Sequence, residues 1–339
     1  MATGIIPFLL FFALTLNVHA QDSFYRGKTL LFIVGYAAGG GYDTYTRLIA
    51  RHIGKHIPGN PSTLVENRTG AGGLIAVNSL YNQAKPDGLT IGNWNGMLAL
   101  QQRLGLSGAQ FDGQRFESVG APVNQNQVCV IAKKSGVHTM DQWRASPRPL
   151  KIAGLGPGTS PSDMARVLEA ALALPMQLVE GYKGGAEVRL ALDSGEVEGM
   201  CGLAWEIAKS TWRKQLDSAN VVVQGVAKPH WELPNVPLAI DFARTHDARE
   251  LIRIALHDAS KVLQIYSCPP GTPKDRVQIL RRAFEQTLKD PDLLIEAKKS
   301  QLDISWTSGE EVAEIISGFT KLPAPIAARL KEILLPKKN

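Results

Sequence analysis

Short apolar runs alternate along this chain with stretches whose apolar positions recur three and four residues apart, the signatures of buried strands and amphipathic helices. Residues 30–36 (LLFIVGY) predict a buried strand. A helix over 42–57 follows, burying Tyr45, Leu48, Ile49, Ile53 and Ile57, with Arg47, Arg51 and Lys55 on its wet side. Gly59-Asn60-Pro61 stops it. A strand over 62–66, a glycine-rich turn over 67–73, a helix through Tyr81 and a strand over 89–92 complete the series, which leads into the polar Asn93-Trp94-Asn95. A second series starts near Ala121, with strands over 128–132, 150–153 and 177–179 and a closing strand within 195–201. Helices over 140–145, 162–174 and 186–193 lie between them, and 221–237 reads as strand and proline-rich loop. Beyond residue 273 the pattern is helical, over 274–289, 290–299, 310–320 and 323–334. Such alternation predicts a layered α/β protein.

Two turns share one design, a buried strand, a run of glycine and small polar residues, then a helix. They are Ala37-Ala38-Gly39-Gly40-Gly41 and the segment 154–161 (GLGPGTSP). A helix start carries unpaired N–H groups and the positive end of its dipole, so it attracts anions. Glycines let a ligand approach the backbone and permit positive φ; Thr159 and Ser160 add hydroxyl donors. No GxxxxGK[ST] run exists, and the glycines at 154, 156 and 158 have the wrong spacing for a dinucleotide turn. His52 and His56 stand four apart on one helix but lack the glutamate of an HExxH site, and read as a solvated face. No GxSxG elbow is present and Ser160 has no base nearby in sequence. Neither catalysis, metal nor cofactor is expected. Trp94, Trp205 and Tyr182 lie in or after loops, where aromatics either line a pocket or simply pack.

The first twenty residues carry no charged side chain, 5–16 is almost wholly apolar, and Val18-His19-Ala20 suits a cleavage site, so export with removal of a signal peptide near Ala20 is expected. The remainder of the 339 residues suffices for two domains. Three cysteines, Cys129, Cys201 and Cys268, encode neither a disulfide scaffold nor a zinc site and are expected as small buried residues, although one pair could oxidise in an exported protein. A formal charge of +6 mildly favours anionic partners, but without the basic stripe of a nucleic-acid surface.

Six segments, in order, resemble the Bug family, the periplasmic substrate-binding proteins of tripartite tricarboxylate transporters. They are 31–43 (LFIVGYAAGGGYD), 65–73 (VENRTGAGG), 84–90 (AKPDGLT), 156–161 (GPGTSP), 182–184 (YKG) and 269–273 (PPGTP). The resemblance implies a two-lobed periplasmic-binding-protein fold of type 2, each lobe a βα-layered sheet, with the ligand in the cleft between them. Lobe 1 would join residues 21–120 to 263–339, and lobe 2 would be 121–262. Carried over by motif, the contacts to a small carboxylate would come from Tyr36, Ala37, Ala38, Gly39, Gly40, Gly41 and Asp43, from Gly158, Thr159 and Ser160, and from Tyr182. Asp43 would cap its helix and organise water, since like charges repel. The chain departs from the family where Ser162-Asp163 replaces a histidine, where Gly202 replaces an acidic residue or asparagine, and at Ala204-Trp205-Glu206. Trp205 and Glu206 are therefore added to the candidate site, with Glu206 as an acceptor selecting an amino or hydroxyl group. The expectation is a periplasmic, monomeric, non-catalytic solute-binding protein working with transporter membrane subunits. A ligand-sensing partner of a sensor kinase and a nucleotide-dependent α/β enzyme are the alternatives.

Overall fold

The computed structural model describes residues 24–335 apart from 157 and 183. The expected signal peptide therefore lies outside the described residues. Among the described residues eleven strands form two sheets: β1 (Thr29–Val34), β2 (Ser62–Asn67), β3 (Thr90–Trp94), β4 (Glu117–Ala121), β5 (Gln127–Ala132), β6 (Leu150–Ala153), β7 (Met176–Val179), β8 (Gly199–Ala204), β9 (Ala219–Gln224), β10 (Ile265–Cys268) and β11 (Thr307–Ser308). The first sheet has the order β11-β4-β10-β3-β1-β2 and the second β7-β6-β8-β5-β9. In the first, β1 pairs parallel with β2 and β3, while β10 inserts antiparallel between β3 and β4. In the second, β6 pairs parallel with β7 and β8, and β5 runs antiparallel to β8 and β9. The chain thus passes from the first sheet to the second between β4 and β5 and returns between β9 and β10. The mixed α/β architecture with two sheets agrees with the fold read from the sequence.

The helices lie where the apolar stripes put them. Gly41–Ile53 buries Tyr45, Leu48, Ile49 and Ile53, and a short 3-10 turn, Gly54–His56, prolongs it. Lys274–Lys289 has the bounds read from its pattern. The terminal helix Ala324–Leu334 packs on Met97–Leu104 beside the first sheet and on Ser160–Leu172 beside the second. One apolar cluster consequently runs from Leu80 and Trp94 through Leu168 to Leu330. Continuous burial of this kind joins the two halves along one side by the hydrophobic effect.

Two expectations are corrected. Cys129 on β5 and Cys201 on β8 form a disulfide, and only Cys268 stays a free buried thiol. Their strands are neighbours in the sheet although 72 residues separate the cysteines, so no local spacing announced the pair. The histidine face is not simply solvated. His52 Nε2 lies 2.9 Å from Glu296 Oε2 and His56 Nε2 lies 2.7 Å from Asp290 Oδ2. Arg51 joins Glu296, and Lys55 lies 2.6 Å from Asp290. The face is covered by the helix Pro291–Lys299, which packs against it from far along the chain.

Candidate functional site

A cavity of about 560 Å³ is lined from both sheets. Three helices of ten residues or more, Gly41–Ile53, Ser160–Leu172 and Gly185–Ser194, bring their first residues to its wall. The first N–H groups of a helix have no intrahelical acceptor, and there the dipole is positive. Three such ends around one cavity favour a negatively charged guest. Tyr42, Tyr45 and Gln264 extend the wall on the first sheet's side, and Arg189, Gly202, Ala204 and Glu206 on the second's. Gly202 holds φ at +67°, and a Cβ there would fall 2.2 Å from the Ser160 carbonyl oxygen. Only glycine lets β8 come this close to the start of the Ser160 helix, which accounts for the departure at this position.

Behind the first helix start, the loop is held by Asp43. Its buried carboxylate accepts from the Gly39 N–H at 2.8 Å, from Arg47 Nε at 2.9 Å and from Asn67 Nδ2 at 2.9 Å. Asn67 Nδ2 also donates to the Tyr36 carbonyl at 2.9 Å, and Arg47 Nη2 donates to Asn67 Oδ1 at 3.0 Å. Burial works against this charge, but the hydrogen bonds from Arg47, Gly39 and Asn67 outweigh it and hold the carboxyl below its usual range. The positive φ of the turn is at Gly39, +78°, whereas Gly40 is extended at −78°. Tyr36 stacks on Tyr42 with ring centroids 3.9 Å apart and donates to the Gly72 carbonyl at 3.1 Å, tying the loop to the second glycine turn.

The second loop repeats the plan with other partners. Gly158, at φ +82°, donates its N–H to Asp163 Oδ1 at 3.1 Å, and the Gly156 N–H goes to Ser162 Oγ at 2.9 Å. Thr159 Oγ1 donates to the Gly156 carbonyl at 2.6 Å, so its hydroxyl braces the loop, while Ser160 reaches the cavity wall. Gln101, from the first sheet's side, donates to Asp163 Oδ2 at 3.4 Å. Burial pushes the Asp163 carboxyl up to about 7, only partly offset by the Gly158 N–H and the charge of Arg166.

Of the residues named from the sequence, Gly41, Ser160 and Glu206 line the cavity. Tyr36 to Gly40, Asp43, Gly158 and Thr159 form the loops behind it. Tyr182 donates to Glu196 Oε1 at 2.7 Å, and Trp205 donates through Nε1 to Glu232 Oε2 at 2.8 Å; neither is on the cavity wall. Trp94 packs in the core against Phe111 and Phe116. Glu206 is half-buried, accepts from Asn126 Nδ2 at 2.8 Å, and is raised by burial. Sequence reasoning missed Tyr42, Tyr45, Arg189 and Gln264. Arg189 could have been found, since it lies one turn into a helix whose start was already placed. Gln264 could not, because nothing local marks the strand β10 that it precedes.

Two walls that converge helix starts on one cavity suit the binding of a small anionic solute. The chain belongs to the tripartite tricarboxylate transporter receptor family, whose model matches residues 46–329; its members are receptors, not enzymes. Among curated proteins the sequence finds no match. Solved structures share the fold. A TctC solute-binding protein from Polaromonas superposes with a TM-score of 0.69 at 18% identity, covering 91% of this chain and 98% of that one. MatC from Rhodopseudomonas palustris with bound malate gives 0.64 at 20% identity, covering 91% and 99%. A second R. palustris protein, with adipate, gives 0.66 at 18% identity, covering 91% and 98%. Among the described residues no helix is long and apolar enough to cross a membrane.

Proposed function

We propose that this protein captures a small organic carboxylate in the periplasm and delivers it to the membrane subunits of a tripartite tricarboxylate-type transporter. The observation that carries the reading is the convergence of three helix starts, from both sheets, on one cavity. Fixed N–H groups and dipoles stabilise an anion without burying an unpaired counter-charge. The malate and adipate in two proteins of the same fold support a carboxylate as the guest. The working unit is a monomer of two lobes, residues 21–120 with 263–339 and residues 121–262, closing on the ligand. Tyr36 to Gly41 with Asp43, and Gly158 to Ser160, shape the two anion-facing loops.

Native mass spectrometry of protein recovered from the periplasm tests this. The expected species begins near Gln21 and carries one small acid. A cytoplasmic product with Met1 intact, or a bound solute with no acidic group, would contradict it.

A further inference from the structure

The cavity that favours an anion also contains an acceptor. Glu206 lies on its wall with one carboxylate oxygen, Oε1, taken by Asn126 and no ion pair of its own among the described residues. Around it the charges do not cancel. A carboxylate oxygen of Glu206, one of Asp303 and a ring nitrogen of His230 lie within 4.8 Å of one another. Lys209 is the cation at hand, and it is engaged by Glu232, with Nζ 2.7 Å from Oε2 and 3.9 Å from Asp303 Oδ2. Burial keeps His230 toward its neutral form. Among the described residues, Lys209 is thus the one lysine or arginine within ion-pair distance of any of these three carboxylates.

The donors lining the same cavity, one from each side, are equally uncommitted. Gln264 is 1% exposed and lines the cavity, and its Nε2, near the Tyr266 hydroxyl, makes no hydrogen bond of good geometry among the described residues. A buried amide donor left unpaired costs free energy until a guest supplies an acceptor. Arg189 lines the cavity beside Gly185, with its guanidinium carbon 6.0 Å from the Trp212 ring centroid and no carboxylate partner among the described residues. A guest that satisfies only these donors and the helix starts leaves Glu206 facing a like charge. One that also carries a cationic donor satisfies both.

We infer that the ligand is an amino-carboxylate, its carboxylate held by the helix starts with Gln264 and Arg189, and its ammonium group by Glu206. This rests on the carboxylate reading above and sharpens it. Calorimetric titration with acids matched in carbon skeleton tests it: aspartate against succinate, glutamate against glutarate, and 2-aminoadipate against adipate. In at least one pair the amino acid should bind tenfold or more tightly than its partner, as one charge-assisted hydrogen bond is worth about tenfold. Glu206→Gln, which keeps the Asn126 contact, should abolish that preference by weakening the amino acid about tenfold, while the amine-free acid, relieved of a like charge, binds as tightly as before or more tightly. Arg189→Ala should weaken both members of the pair. Equal or tighter binding of the amine-free acids, or an equal loss for both members in Glu206→Gln, overturns the inference and leaves carboxylate capture standing. Stabilisation by calcium or zinc alone, with no amine preference, assigns the acidic cluster to a metal and also overturns it. Absence of binding by any of the six acids contradicts the carboxylate reading and the inference with it.

Discussion

In the first glycine loop Asp43 closes on the Gly39 N–H with Arg47 and Asn67 bonded to it; in the second, Asp163 closes on the Gly158 N–H with Gln101 as its other hydrogen-bond partner. The geometry is the same and the electrostatics are opposite. Asp43 is a charge held permanently by a cation four residues on, one helical turn away, so its loop is a fixed scaffold. Asp163 has no bonded cation among the described residues, since Arg166 is paired with Glu180 at 2.7 Å, and its carboxyl titrates near neutrality. A fixed negative charge one step behind an anion site costs binding energy through repulsion. Where Arg47 cancels the charge the protein can keep it, and where nothing cancels it a raised carboxyl is the alternative. A loop carboxylate must be judged by its counter-ion, not by the N–H it accepts.

The largest effect expected from this contrast is on stability. Asp43→Ala removes one buried acceptor from three donors, and should cost about 2–4 kcal/mol in chemical denaturation at pH 8. Asp163→Ala at the same pH removes a charge that is poorly compensated, and should cost about 1 kcal/mol or less. Equal losses in the two variants would mean that the loops are not differently built.

A second effect is pH dependence. The folded Asp163 carboxyl titrates at about 7 against an ordinary 3.8, so between these values the folded state holds its proton more tightly than the unfolded state. Its contribution to stability is full below pH 4, falls as pH rises to 7, and levels off above. Asp163→Asn, which still accepts the Gly158 N–H, should flatten this part of the stability–pH profile. Asp43 works in the opposite direction, its stabilisation being lost as pH falls through its depressed value. An unchanged profile in Asp163→Asn would remove the distinction.

Much of this was legible in the sequence because it is local. The apolar stripe of Gly41–Ile53 and the glycine turns before the helix starts depend on neighbours within a few residues. What was not legible depends on distant segments. β10 has four fully buried residues without alternation, and only its partners at β3 and β4 make it an antiparallel strand. The His52–Glu296 and His56–Asp290 contacts join residues more than 230 positions apart, and the Cys129–Cys201 bond depends on the pairing of β5 with β8. The same holds for the cavity. Its helix starts were marked by glycine, but Arg189, Gln264 and Glu206 line one cavity because two sheets face each other, a relation no window of sequence contains.

The central claim is that the cavity recognises negative charge with groups fixed before the ligand arrives. Calorimetric titration of the wild-type protein with its acid and with the corresponding amide tests this most directly, since the two are nearly equal in size and differ in charge. The account predicts one-to-one binding of the acid and, for the amide, affinity weaker by at least about a hundredfold, the loss of two charge-assisted hydrogen bonds. Comparable affinity for acid and amide would contradict it.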